Sequence, residues 1–244
     1  MPNNYTSNAL SWPEYATIEI ENAIFKVKAT ALLEASRYFS AAFDSKSPWV
    51  EVQKKSVRIT DFHPASFLAF VHWLFENKID GSKLLLPDTL SPCFDEEDNT
   101  DEIRVGNRER LSLAEGDHRL DNLVDAYILG EYLQTPEFLN EVIVELIRQY
   151  SNFNRQNDWL SRWIPLHNLD YIFERTVETS QLRRLVLDLL STCLTRNVFR
   201  QAIKDGIIPT EAIEALATRS IDSQAFQRTL KQPWSQTEDY LVKT

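Results

Sequence analysis

Thr30-Ala31-Leu32-Leu33-Glu34-Ala35-Ser36-Arg37-Tyr38-Phe39-Ser40-Ala41-Ala42-Phe43 is the stretch on which the reading of the fold turns. Ala31, Leu32, Ala35, Tyr38, Phe39 and Ala42/Phe43 recur at helical spacing, as one stripe or as two short ones. Ser36 suits a cap between two short helices, because its hydroxyl can accept a bond from an orphan backbone N–H at the start of the second. Just before this stretch the period is two. Thr17-Ile18-Glu19-Ile20 alternates, residues 23–27 point Phe25 and Val27 inward, and Glu21-Asn22 between them is a hairpin signal. Just after it, Val57 and Ile59 alternate with Ser56 and Arg58 as a third strand. His63-Pro64 then opens a helix, since a first-turn proline gives up an N–H that would be unpaired there anyway. Phe67, Phe70, Val71 and Leu74 form its core face.

Residues 81–119 break the pattern. They hold ten acids against five bases, six of the acids between Asp95 and Glu102, and supply half of the net charge of −10. Self-repulsion and the lack of apolar period predict a solvated loop; cation loops need ligands at set offsets and a turn glycine, which this run lacks. Helical order returns at Leu120, Leu123, Val124, Tyr127 and Ile128. Thr135-Pro136 reads as a cap and first-turn proline for a helix carrying Leu139, Ile143, Leu146 and Tyr150. Further helices are expected near 168–176, 181–195, 196–204, 210–218 and 222–230, the last two separate. The stripe Leu182, Leu185, Val186, Leu189, Leu190, Cys193 and Leu194 fits the helical period closely, which makes Cys193 a small core residue. Arg183 and Arg184 are expected to face solvent or to pair with carboxylates. Residues 1–16 and 232–244 read as tails.

Composition narrows the function. The chain has 244 residues with 43% hydrophobic and 25% charged side chains, the balance of a globular protein. An excess of 36 acids over 26 bases repels phosphate backbones, and the paired bases Lys54-Lys55 and Arg183-Arg184 are too few for a nucleic-acid surface. Only five glycines are present, and there is no P-loop, dinucleotide or nucleophile-elbow pattern. His63, His72, His118 and His167 lack metal-ligand spacing with one another or with Cys93 and Cys193, and Asp117-His118 has no marked nucleophile beside it. The expectation is a protein without catalysis, cofactor or metal. There is no signal-peptide pattern and no apolar run long enough for a membrane span, so a place in the cytoplasm or nucleus, away from membranes, is expected.

The order strand, strand, helix pair, strand, helix, loop, two helices carries Leu32-x-x-x-Ser36-x-Tyr38-Phe39-x-x-x-Phe43, then Phe67-x-x-Phe70-Val71-x-Trp73-Leu74-Phe75. It continues with Leu123-Val124-Asp125-Ala126-Tyr127-Ile128-Leu129-Gly130-Glu131-Tyr132-Leu133. Together these segments resemble the BTB/POZ domain, in wording closest to its fungal branch, over 17–77 and 120–150. Leu169-Asp170-Tyr171-Ile172-Phe173-Glu174-Arg175-Thr176 and Gln181-Leu182-Arg183-Arg184-Leu185-Val186-Leu187-Asp188 are similar to the helical segment that follows the unit in many fungal members. The resemblance implies an α+β BTB/POZ fold at 17–150, a short three-stranded sheet packed by a helical cluster, with 81–119 as an acidic insertion and 151–231 as an all-helical extension. Three departures stand out. Lys28 replaces the family's usual His, the connection from Leu74 to Leu123 is longer and more acidic, and the basic region of transcription-factor relatives is absent.

The resemblance also implies protein partners. Family members commonly self-associate through the face built from the first helix, here 30–43 with Tyr38 and Phe39, giving a homodimer or larger species. Trp49-x-Glu51 matches by position the hydrophobic-x-Glu feature that cullin-binding members set against the ubiquitin-ligase scaffold, joined by the 121–133 helix with Tyr127 and Tyr132. An exposed indole in a polar loop suits a binding hot spot, whereas the plainer reading has Trp49 cover the end of the core. By spacing alone Phe39 and Tyr127 are core residues. Two functions stay open: an adaptor to a cullin-type ligase, or a self-associating scaffold or transcriptional co-regulator with no ligase link.

Overall fold

The computed structural model describes residues 15–43, 56–79, 104–105, 119–155, 169–193, 196–225 and 235–242. The chain divides into two compact units, Met1–Pro64 with Thr89–Arg110, and Ala65–Asp88 with Leu111–Thr244.

In the first unit the period-two segments are β1 (Tyr15–Ile20) and β2 (Ala23–Lys28), an antiparallel hairpin closed by Glu21-Asn22 with Glu21 at φ 49°. Ile18 lies opposite Phe25 and Ile20 opposite Ala23. On the other side of β1, β3 (Ser56–Ile59) runs parallel, setting Val57 against Ile18 and Ile59 against Ile20. Because direct partners share a face, Ala16, Ile18, Ile20, Ala23, Phe25, Val27, Val57 and Ile59 all bury one side of the sheet. The other side carries Lys26, Lys28 and a cross-strand pair in which Arg58 meets Glu19 at 2.8 Å. Arg58 is largely exposed, so that pair is worth at most about 1 kcal/mol.

Beside the three expected strands stands a fourth. Arg104-Val105 forms β4 (Arg104–Val105) inside the segment expected to be structureless, antiparallel to β2 with Val105 opposite Ala23. The sheet order is β3-β1-β2-β4, so this short strand takes up the edge of β2. The rest of 81–118, with the acidic run, lies outside the described residues.

The 30–43 stretch resolves into two short helices, α1 (Ala29–Ala35) and α2 (Arg37–Ala42). Ser36 divides them as expected. Its backbone is extended, its N–H closes α1 on Leu32, and its hydroxyl accepts from Phe39 N at 3.2 Å to open α2. Lys28 sits exposed at the start of α1 and makes no side-chain cap bond.

The second unit is helical. α3 (Pro64–Glu76) buries Phe67, Phe70, Val71 and Trp73 as expected, whereas Leu74 is only half-buried. The reason is aromatic packing: Trp73 lies 5.8 Å from the Phe70 ring, and both lie against Phe138. α4 (Arg119–Leu133) and α5 (Pro136–Arg155) are joined by Gln134-Thr135. Gln134 takes φ 54°, its N–H bonds Glu131 O, and Thr135 N bonds Gly130 O, the pattern that closes a helix through one left-handed residue. Thr135 stands at the cap position of α5 as expected, its carbonyl accepting from Leu139 N at 3.0 Å, while its hydroxyl donates to the Gly130 carbonyl at 3.2 Å and seals α4. Gly130 is required by proximity, because a Cβ there would fall 2.7 Å from Leu139 Cδ2 and 2.9 Å from Phe138 Cδ1.

Then come α6 (Leu169–Arg175), α7 (Gln181–Cys193), α8 (Arg196–Lys204) and α9 (Thr210–Ala225). α9 is one helix where two were expected, for no Gly or Pro interrupts residues 210–225. The Cys193 side chain lies outside the described residues.

Arg183 takes the second of its two expected roles, pairing with a carboxylate, but from inside the fold. It is only 7% exposed and binds around the end of α6. Its guanidinium donates to the Thr176 hydroxyl at 2.8 Å and to the carbonyls of Phe173 and Thr176, pairs with Glu211 on α9, and stacks 4.8 Å from the Phe173 ring centre. Arg184 is exposed as expected, but over the ring of Tyr240. Residues 235–242, expected to be tail, form a short 3₁₀ turn (Thr237–Tyr240) with Tyr240 buried.

Candidate interaction surfaces

In the first unit, the exposure of α1 and α2 follows from helix length. Two helices of seven and six residues, set at an angle by Ser36, can turn only one side inward. Leu32, Phe39 and Phe43 take that side, with Phe39 stacked on Phe43 at 6.0 Å. Ala31, Leu33, Ala35, Tyr38 and Ala42 remain half-buried, and Ala41 is exposed. Tyr38 stands edge-on to Phe39 at 5.3 Å. Of the residues expected to touch a partner, then, Tyr38 reaches the surface and Phe39 does not. Phe39 is an interior ring that supports Tyr38 from beneath. Trp49 and Glu51 lie outside the described residues.

In the second unit, α4 turns Tyr127 inward and Tyr132 outward. The two are five residues apart, which places them on different faces of a helix. Tyr132 is 43% exposed, while Tyr127 is interior and corrects the expectation of a surface residue. Tyr127 is held there by polar partners. Its hydroxyl meets Ser180 and the backbone at Gln181 and Leu182, and burial together with the neighbouring Glu131 charge pushes its ionisation well above the ordinary phenol range. Sequence reading missed the exposed apolar residues Phe75, Val144 and Val177.

It also missed two carboxyl networks under α4. Burial raises the Glu131 carboxyl above its ordinary value, opposed by hydrogen bonds from Ser180 and Tyr127 and by the Arg183 charge. Asp125 is raised likewise by burial, with Asp121 adding to the effect and a hydrogen bond from Tyr171 and the Arg175 charge opposing it. Glu131 lies one turn beyond Tyr127 on the apolar side of α4, and that spacing was the available signal.

Both carboxyls hold a proton to higher pH in the folded chain than in the unfolded one. Above the ordinary carboxylate range the unfolded chain has therefore released protons that the folded chain still binds. Stability falls as pH rises from that range through the raised values, and it returns on acidification. Urea melts of the unaltered chain and of Asp125→Asn/Glu131→Gln at about pH 5 and about pH 7.5 check this. The double variant should lose part of the decline; an unchanged decline would remove these two groups as its source.

Among the described residues, no helix is long and apolar enough to cross a membrane, and no three His, Cys, Asp or Glu are grouped to hold a metal ion. No curated protein matches the chain. Residues 16–92, which take in β2, α1, α2, β3, α3 and nearly all of β1, match the BTB/POZ domain, and this part of the chain is a protein–protein interaction module.

Proposed function

We propose that the chain is a non-catalytic adaptor that pairs with a second copy of itself through α1 and α2. The observation that supports this most is the apolar strip Ala31, Leu33, Ala35, Tyr38 and Ala42, left half-buried on those two helices. Three alanines keep the strip shallow, so another backbone can approach closely, while Leu33 and Tyr38 supply apolar area to bury. Leu33→Asp places a charge in the middle of the strip. In sedimentation equilibrium that variant should dissociate at least about tenfold more readily than the unaltered chain, the effect of leaving one charge desolvated at an interface. A variant that is folded and associates as tightly as the unaltered chain would displace the pairing from this face.

The role we attach to the pair is that of an adaptor meeting a cullin-type ubiquitin-ligase scaffold through Trp49 and Glu51. The support is the hydrophobic-x-Glu spacing of Trp49-Val50-Glu51 between α2 and β3. Calorimetry with a cullin N-terminal domain is expected to detect binding, weakened by about 1–3 kcal/mol in Trp49→Ala, the size of a hot-spot aromatic. If the scaffold does not bind at all, the self-associating scaffold or co-regulator without a ligase link replaces this role, and the pairing through α1 and α2 is unaffected.

A further inference from the structure

Residues 236–242 lie against three helices of the second unit in the manner of a bound peptide. Tyr240 is the one buried side chain among the described residues of the segment. Its hydroxyl donates to Asp188 Oδ2 on α7 at 2.8 Å, while Arg219 of α9 holds the other oxygen of Asp188 at 2.6 Å. The Arg184 guanidinium lies 5.4 Å from the centre of the Tyr240 ring and donates to the Asp239 carbonyl at 2.9 Å. Two residues further on, the Asn140 side chain of α5 grips the backbone of Val242 from both sides. Asn140 Oδ1 accepts from Val242 N at 2.5 Å, and Asn140 Nδ2 donates to Val242 O at 3.1 Å.

One buried aromatic anchor, bonds to both the N–H and the carbonyl of the residue two positions later, and one to the carbonyl before the anchor are the means by which a groove reads a short peptide. The main-chain bonds do not depend on which side chains the peptide carries. The specific demands are a tyrosine hydroxyl for Asp188 and an apolar ring for Arg184. Glu238 and Asp239, just before the anchor, are exposed in the same short turn, and Arg184 holds the second of them by its main-chain carbonyl.

We infer that the groove formed by Asn140, Arg184, Asp188 and Arg219 is a recognition site for a tyrosine-anchored peptide held by its main chain, and that residues 236–242 occupy it in cis. A partner carrying such a segment competes with the tethered one. The tether gives the cis segment an effective concentration in the millimolar range, so the free groove is much more receptive than the filled one. This site is separate from the α1–α2 strip, and its failure leaves that reading untouched.

Two full-length variants empty the groove without altering its walls. Tyr240→Ala removes the anchor, and Val242→Pro removes the N–H that Asn140 accepts. The probe is a fluorescein-labelled peptide of residues 235–244, read by anisotropy. Either folded variant is expected to bind it at least about tenfold more tightly than the unaltered chain, in which the cis segment competes. Adding Asn140→Ala to that variant should cost at least about tenfold in affinity. Absence of peptide binding by the folded variants, or binding no tighter than that of the unaltered chain, overturns the inference. So does loss of folding in both variants, which would make 236–242 part of the core and not an occupant.

Discussion

Phe138→Ala should destabilise the chain by about 3–5 kcal/mol, the range for removing a buried phenylalanine. Phe138 opens α5 and is fully buried. The Phe70 ring meets it edge-on at 5.2 Å and Trp73 lies at 5.4 Å, both from α3. Gly130 of α4 comes so near that an added Cβ would touch the ring. Three helices therefore converge on one side chain. The cavity left by alanine is walled by rigid rings and a close helix pair that collapse poorly, which places the cost high in the range. Each aromatic pair lost adds about 0.5–1.5 kcal/mol to simple area burial. Phe138→Leu keeps most of the volume and should cost less than about 2 kcal/mol. Urea unfolding of the two variants checks the pair of values. An alanine variant within about 1 kcal/mol of the unaltered chain would mean that α3, α4 and α5 do not meet at this ring.

The second large effect is expected at Arg183. Arg183→Met keeps much of the side chain's apolar bulk and removes its donors, and the loss should be about 2–4 kcal/mol. The ion pair with Glu211 is a minor part of this, because Glu211 is 56% exposed and keeps its hydration. Most of the cost lies at the end of α6. The carbonyls of Phe173 and Thr176 lose their guanidinium donor, and the Thr176 hydroxyl, itself donating to Ile172 O, loses its own. Orphaned buried acceptors carry their full desolvation penalty. Two variants separate the contributions. Glu211→Gln should cost under about 1 kcal/mol. Arg183→Lys should recover less than half of the loss, since a single ammonium does not reproduce the fork that serves two carbonyls and a hydroxyl together. A methionine variant as stable as the unaltered chain would remove Arg183 as the organiser of that helix end.

These two residues also mark what was legible in the sequence. The sheet was readable because alternation needs only neighbours: Ile18, Phe25 and Val57 declare their face through the residues beside them. Ser36 was readable for the same reason, its partner Phe39 N being three residues on. Arg183 was not. Charge defaults to the surface, and the groups that bring this one inside lie 7, 10 and 28 residues away. β4 was hidden because two residues beside an acidic run carry no period, and only the edge of β2 gives them a partner. Tyr240 and Val242 looked like tail because their partners, Asp188 and Asn140, lie 52 and 102 positions earlier. At the candidate surfaces the family likeness offered four rings, of which Tyr132 is exposed, Tyr38 half-buried and Phe39 and Tyr127 interior. Helical spacing already made Phe39 and Tyr127 core residues, and both are buried; the resemblance had offered them as contacts.

In the function we propose it is a surface that acts, the α1–α2 strip pairing with a second copy of the chain. Sedimentation equilibrium of the full chain between roughly 1 and 300 µM tests this most directly, a span wide enough to catch even a weak homodimer. The predicted result is a dimer that dissociates on dilution and that Leu33→Asp shifts to monomer. A single monomeric species across the whole range would contradict it.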